Sequence, residues 1–254
     1  MTHPAPTTTT APFADPASGG ATGVKAPDAR QAVGFSFYRL DPAWRRLPRA
    51  EKNKHTGELL GVVNTYSKKL MVMTYSLVGL KADVDFLIWR VGQQLEDLNE
   101  MSSALRQTSM AGYLTVPHQY LSMTKRSIYV DKLDPDHPEK RRFVTPFHSK
   151  YLFVYPFTKT WEWYALPFAE RQTMMDEHIQ LGNKYPSIKI HTTYSFGLDD
   201  PEFVLAFESD KPQDFLDLVM EMRETKARKY TLRDTPVFTC LAKPFSDILK
   251  DIGG

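Results

Sequence analysis

The sequence predicts an α+β fold in which two ferredoxin-like β-α-β-β-α-β halves form one barrel. Three observations predict it. Strand-like and helix-like segments run in the order β-α-β-β-α-β, and that order then recurs. The recurrence carries a local echo: Gly79-Leu80 precedes Asp85-Phe86-Leu87, and Gly197-Leu198 precedes Glu202-Phe203-Val204. A sheet covered by helices on one face must also bury its other face, and packing the two sheets together does so.

The elements follow in chain order. "GFSFYRL" (34–40) alternates like a strand. In 49–68, Leu59, Leu60, Val62, Val63 and Tyr66 form one helical face. The runs 70–79 and 85–91 are apolar and β-prone, with "GLKAD" turning between them. In 92–108, Leu95, Leu98, Met101 and Leu105 make a helical stripe, and 118–130 reads as a strand. The second half repeats this order. Strands are expected at 150–157, 187–197, 202–209 and 235–243. Helices are expected at 166–184, with a proline near the first turn, and at 211–229, with Phe215, Leu218, Val219 and Met222 aligned. The expected division is a disordered leader over 1–30, a first half over 31–130, a Pro- and charge-rich loop over 131–148 and a second half over 149–254.

Composition narrows the function. The 254 residues are 42% hydrophobic, enough for real cores. Lys+Arg 32 against Asp+Glu 30 leaves a net charge of +2, without the basic stripe of a nucleic-acid binder. The single cysteine, Cys240, builds neither a disulfide framework nor a cysteine zinc site. No apolar run reaches the ~18 residues of a membrane helix. The start, "MTHPAPTTTTAPFADPASGG", lacks the charged and apolar regions of a secretory signal, so a cytoplasmic location is expected.

The stretch "YPFTKTWEWYALP" (155–167) concentrates aromatics around one lysine. Tyr155 reads either as an ordinary strand tyrosine or as a redox-active phenol. Lys159 reads as a solvated strand-end charge or as a grip on a carboxylate. Arg141 and Arg142 form a solvated loop face or an anion clamp. Trp161, Trp163 and Tyr164 divide between core and pocket wall, with Trp163 favoured for the wall. No two of the seven histidines show zinc-site spacing, and neither a G-x-S-x-G elbow nor a P-loop is present. His178 lies beside the apolar stripe of its helix, with Arg171, Met174, Met175 and Leu181. The pattern alone favours a satisfied core histidine. The sharper alternative is a lone axial ligand beneath a haem iron.

The run "YPFTKTWEWYALPFAER…MMDEH…GLDDPEFVLAFE" resembles the chlorite dismutase-like superfamily and, within it, the coproheme decarboxylases. The likeness spans about Lys150 to Val237 and continues more weakly through "VNTYSKKLMVMTYSLVGLKADVDFLIWR" and "YLSMTKRSIY". It implies a dimeric α+β barrel of two ferredoxin-like halves, assembled as a homopentamer. It also implies a Y-P-x-x-K motif at Tyr155-Pro156-Phe157-Thr158-Lys159. In that motif Tyr155 is the catalytic tyrosine and Lys159 contacts a propionate or a group beside the proximal ligand. His178 becomes the axial iron ligand, Arg141 a propionate holder, and Trp163 and Ile190 parts of the porphyrin wall.

Ile190 stands where the chlorite dismutases place a distal arginine and where many decarboxylases place glutamine. An isoleucine offers neither charge nor donor to an oxychlorine anion. Two further departures fall in "RETKARKY". Lys226 or Ala227 stands where a glutamate partner of the proximal histidine is expected, with Glu224 the nearest substitute. Arg228 stands near the place of a propionate-binding serine. The implied activity is peroxide-dependent decarboxylation of Fe-coproporphyrin III, substrate and cofactor at once, to haem b through a tyrosyl radical. A chlorite dismutase or weak haem peroxidase, or a non-catalytic haem-binding protein, are the alternatives. A coproporphyrin ferrochelatase is the implied partner.

Overall fold

A computed structural model describes residues 30–130 and 143–254. The expected leader and the loop segment holding Arg141 and Arg142 lie outside the described residues. The first half contains β1 (Ala32–Leu40), α1 (Arg49–Tyr66), β2 (Met71–Ser76), β3 (Phe86–Gly92), α2 (Leu95–Arg106) and β4 (Leu114–Met123). The second contains β5 (Tyr151–Lys159), α3 (Trp161–Ala165), α4 (Phe168–Gly182), β6 (Lys189–Tyr194), β7 (Phe203–Ser209) and α5 (Pro212–Arg223). It ends with β8 (Thr231–Arg233), β9 (Phe238–Ala242) and α6 (Phe245–Asp251).

The strands of the first half lie in the order β4-β1-β3-β2, and those of the second in the matching order β9-β5-β7-β6. Antiparallel pairing of β2 with β9 and of β4 with β6 joins the halves edge to edge. Because β5 pairs with both β7 and β9, the ring closes into a barrel. Strand alternation then sends every second side chain inward. Val33, Phe35 and Phe37 from β1 meet Leu87 and Trp89 from β3 and Phe238 from β9 there. Phe37 stacks on Phe238 across the halves at 4.0 Å. Cys240 is fully buried in this interior, and burial raises its thiol pKa.

The duplication extends to individual hydrogen bonds. The Asp85 carboxylate, at the threshold of β3, accepts the Leu40 N–H at 2.7 Å, and Glu202, before β7, accepts the Lys159 N–H at 2.7 Å. Gly79 (φ 76°) and Gly197 (φ 70°) supply the left-handed residue of the two matching turns. Asp41 N–H donates to the Tyr113 carbonyl at 2.8 Å, and Thr160 N–H to the Tyr230 carbonyl at 2.9 Å. Trp44 and Trp163 follow these two residues, and Pro48 and Pro167 then open α1 and α4.

Several boundaries differ from the sequence reading. β4 begins at Leu114, not at 118, because 114–115 pair with the end of β1 around a register shift that also accommodates Pro117. It stops at Met123, where the chain leaves the sheet. The helix expected over 211–229 ends at Arg223 and gives way to a 3-10 turn at Lys226–Tyr230. The short elements α3, β8 and α6 were not anticipated.

The carboxylate of Asp85 fastens a strand end that would otherwise leave an N–H unpaired. Asp85→Ala should lower the unfolding free energy by about 1–3 kcal/mol in urea titration, and Asp85→Asn, which keeps an acceptor, by less.

Candidate functional site

Each half must cover the outer face of its own sheet. In the first half one continuous apolar layer does so. Leu40, Leu59, Phe86, Ile88, Leu98 and Met101 are all buried in it. In the second half the layer is broken in two. One patch gathers around Phe153, Phe207, Phe215 and Leu218, and the other around Trp163, Met174 and Ala227.

The break has a local cause. In the first half Leu98 of α2 nests over Gly34, so closely that a Cβ there would meet its Cδ2 at 2.9 Å. The register places Phe153 at Gly34's position and Phe207 at Arg90's. Phe153 stacks on Phe215 of α5 at 4.0 Å. A pair of rings thus replaces a glycine and a leucine, and it props α5 away from the sheet. α2 packs closely on β1 and β3, whereas the near neighbour of its counterpart α5 is α4 rather than a strand.

The residues around the break are those that differ between the halves. His178 stands eleven residues beyond Pro167 in α4, as Leu59 stands eleven beyond Pro48 in α1. Lys159 ends β5 where Leu40 ends β1, and Tyr155 takes the register position of Ser36. Ile190 takes that of Val72, since one pairs with Phe207 and the other with Arg90. Trp163 is different. Its counterpart Trp44 is equally buried, so packing alone accounts for it.

The chemistry of the group follows from its surroundings. His178 is half-buried and makes no hydrogen bond among the described residues. Burial lowers its pKa to about 4, and the positive charge of Lys159 adds to the effect. The imidazole is therefore neutral, with a lone pair free to ligate. The Lys159 amine lies 4.3 Å from the centre of the Trp163 ring and donates to the Ala227 carbonyl at 3.3 Å. Burial brings its pKa down to about 8, opposed by Glu202 and aided by Arg228. Tyr155 stacks on Phe207 at 5.7 Å. Burial raises its phenol pKa well above the ordinary value; Asp234 adds to this, and Arg223 and Arg228 oppose it. Those arginines grip Asp234 at 2.6 and 3.2 Å.

Other expected residues fall elsewhere. Strand alternation places Tyr155 and Phe157 on the outer face, with Pro156 on the opposite, inward side. Thr158 lies at the register shift where β5 turns to β8. Ile190 is 38% exposed and belongs to neither apolar patch. Trp161 is exposed, while the Tyr164 hydroxyl donates to Glu202 at 2.6 Å. No carboxylate bonds to His178 among the described residues. Glu224, the possible substitute, is exposed at the end of α5. Behind the wall, His191 and Glu208 alternate with Ile190 and Phe207 and pair inside the barrel at 2.7 Å.

Glu202 and the Arg223–Asp234–Arg228 cluster were missed as parts of the site. Glu202 was visible only as an echo of Asp85, and no sequence signal joined the cluster to Tyr155. Among the described residues no three His, Cys, Asp or Glu side chains converge on a metal position. A lone neutral imidazole in an apolar wall suits a metal whose other ligands come with it, as in a porphyrin, and the nearby Lys159 amine suits a carboxylate.

The family model described as "Chlorite dismutase" matches residues 52–243. A coproheme decarboxylase of Mycolicibacterium smegmatis is 33% identical over 172 residues, covering 65% of this chain and 70% of that protein. One from Staphylococcus saprophyticus is 32% identical over 215 residues, covering 78% and 83%. The crystal structure of a mutant chlorite dismutase from Candidatus Nitrospira defluvii superposes with a TM-score of 0.81. It shares 26% identity and covers 88% of this chain and 96% of that one.

His178 carries a pH signature of its own. Its imidazole titrates near 6.5 when unfolded and about 4 when folded, so the unfolded chain binds more protons between those values. This contribution to stability is present above pH 6.5 and is lost as the pH falls towards 4, a total of about 3 kcal/mol. Between pH 7 and pH 5 the native chain should lose about 2 kcal/mol more than His178→Leu in urea titration, and equal losses would contradict the placement.

Proposed function

The chain belongs to the chlorite dismutase family, and from that premise we propose that it is a coproheme decarboxylase converting Fe-coproporphyrin III to haem b with hydrogen peroxide. One observation carries the proposal. Around the break in an otherwise duplicated layer, Ser36, Leu40 and Leu59 of the first half give way to Tyr155, Lys159 and His178.

The roles follow from the surroundings. His178 offers a neutral nitrogen to the iron. The bound iron porphyrin supplies the oxidising chemistry when peroxide is present. Tyr155 keeps its phenolic hydrogen at neutral pH, since its pKa is raised. It can therefore give up a hydrogen atom and recover one from the β-carbon of a propionate. Each round removes carbon dioxide, one proton and two electrons from a propionate, the proton and one electron leaving together as the β-hydrogen, and leaves a vinyl group. Peroxide takes up the two electrons and becomes two waters. Lys159 lies on the His178 side, against Trp163, which favours its reading as a group beside the proximal ligand. Arg141 remains the proposed propionate holder in a segment outside the described residues. Ile190 offers a chlorite anion neither charge nor donor, so chlorite is the disfavoured substrate. A homopentameric assembly and a ferrochelatase supplier belong to the same proposal.

One titration tests the reading: purified protein receives iron coproporphyrin III and then peroxide, with products followed by mass. Successive losses of carbon dioxide, ending at haem b, are expected. Unchanged coproheme would mean a carrier, and dioxygen release on adding chlorite would mean a dismutase. Tyr155→Phe should bind the porphyrin unchanged yet slow carbon dioxide release at least about 100-fold. Full activity in that variant would remove Tyr155 from the mechanism.

A further inference from the structure

We infer that the first half holds a closed copy of the second-half site, a groove for a flat apolar ring between α1 and the outer face of β2 and β3, and that α6 is its built-in occupant. The duplication locates the groove. Its floor is Val72, Phe86 and Ile88, and its helical wall is Leu59, at the positions of Ile190, Phe203, Leu205 and His178 in the other half.

In the first half this space is filled by Phe245, Ile248, Leu249 and Ile252, all buried and all on one face of α6. Phe245 meets the Phe86 ring edge-on at 5.7 Å. The helix is tied at both ends. The Thr74 hydroxyl donates to the Lys243 carbonyl at 2.7 Å ahead of it, and Lys52 of α1 donates to the Gly253 carbonyl at 3.0 Å behind it. Gly254 is seated so closely that a Cβ there would come within 2.7 Å of the Leu249 carbonyl and 2.9 Å of Thr56.

The chain leaving β4, at the equivalent exit, takes another course. Tyr129 packs on Phe168 and Trp163 near the start of α4, and Ile190 stays exposed. Among the described residues, one half is thus plugged by its own chain while the other is left open. In the plugged half, Leu59 stands at the histidine's position and Leu40 at the lysine's. Only the identity of the flat ligand rests on the proposed function; the plug does not.

The test uses chains with and without residues 244–254 in a His178→Ala/Leu59→His background, which moves the imidazole to the plugged half. Iron coproporphyrin III is the probe, and histidine ligation is read from the absorbance spectrum. The shortened chain should show one equivalent of histidine-ligated iron, and the full-length one no ligated iron. Ligation with α6 present, or none in a shortened chain that circular dichroism shows to be folded, would overturn the inference. Should the shortened chain not fold, Phe245→Ala/Ile248→Ala in the otherwise unchanged protein must raise anilinonaphthalene sulfonate fluorescence severalfold. No rise would overturn the plug. That dye arm uses no porphyrin. If the unsubstituted chain binds no iron porphyrin, the proposed function fails, while the dye still reports on the groove.

Discussion

Everything in this molecule depends on the pairing of four sheet edges. A four-stranded ferredoxin-like sheet has two edges with unpaired backbone groups and two faces to cover. Here β2 meets β9 and β4 meets β6, so each half supplies the other's missing neighbours. Closure seals the inner faces around Phe35, Trp89 and Phe238 in a single step. It leaves the two outer faces as separate problems, and the halves solve them differently. One is packed shut, with Leu98 set into the hollow over Gly34 and α6 laid across the remainder. The other is propped by Phe153 against Phe215 and, among the described residues, stays incompletely filled.

The duplication also works as an internal control. A feature present in both halves needs no functional explanation, and Trp163 is the instructive case. It is buried, aromatic and close to Lys159, yet Trp44 occupies the same turn over a face with no site. The Asp85 and Glu202 carboxylates likewise fasten the same strand end, but Glu202 also receives the Tyr164 hydroxyl and bears on the charge of Lys159. What survives this subtraction is a short set, Tyr155, Lys159, His178 and Ile190. The first three bring chemistry to positions held by Ser36, Leu40 and Leu59. The fourth stays apolar but is left uncovered.

The element order and the glycine–acid echo were legible because they are local. They reflect periodicity and turn chemistry, which neighbouring residues determine. The start of β4 was not legible, since it is set by a partner strand nearly eighty residues earlier in the chain. α6 did carry a signal. Phe245, Ile248, Leu249 and Ile252 follow helical spacing, but over a length too short to stand out from a tail. His178 shows where pattern reading stops. Its place on a sheet-facing stripe is also Leu59's, so periodicity could say only that it points inward. Its neutrality depends on burial and on Lys159, a neighbour that the fold brings near. The Arg223–Asp234–Arg228 cluster joins α5 to the chain beyond β8, and nothing local announces it.

Cys240 acquires a different meaning beside such a site. A thiolate in reach of solvent is the group most readily carried through sulfenic to irreversible sulfinic and sulfonic acids. The chain's one thiol is instead sealed inside the barrel, where burial also keeps it protonated. Closure of the barrel therefore gives chemical durability as well as shape. Under the proposed function, which brings peroxide to the outer face, the barrel wall stands between that oxidant and the thiol.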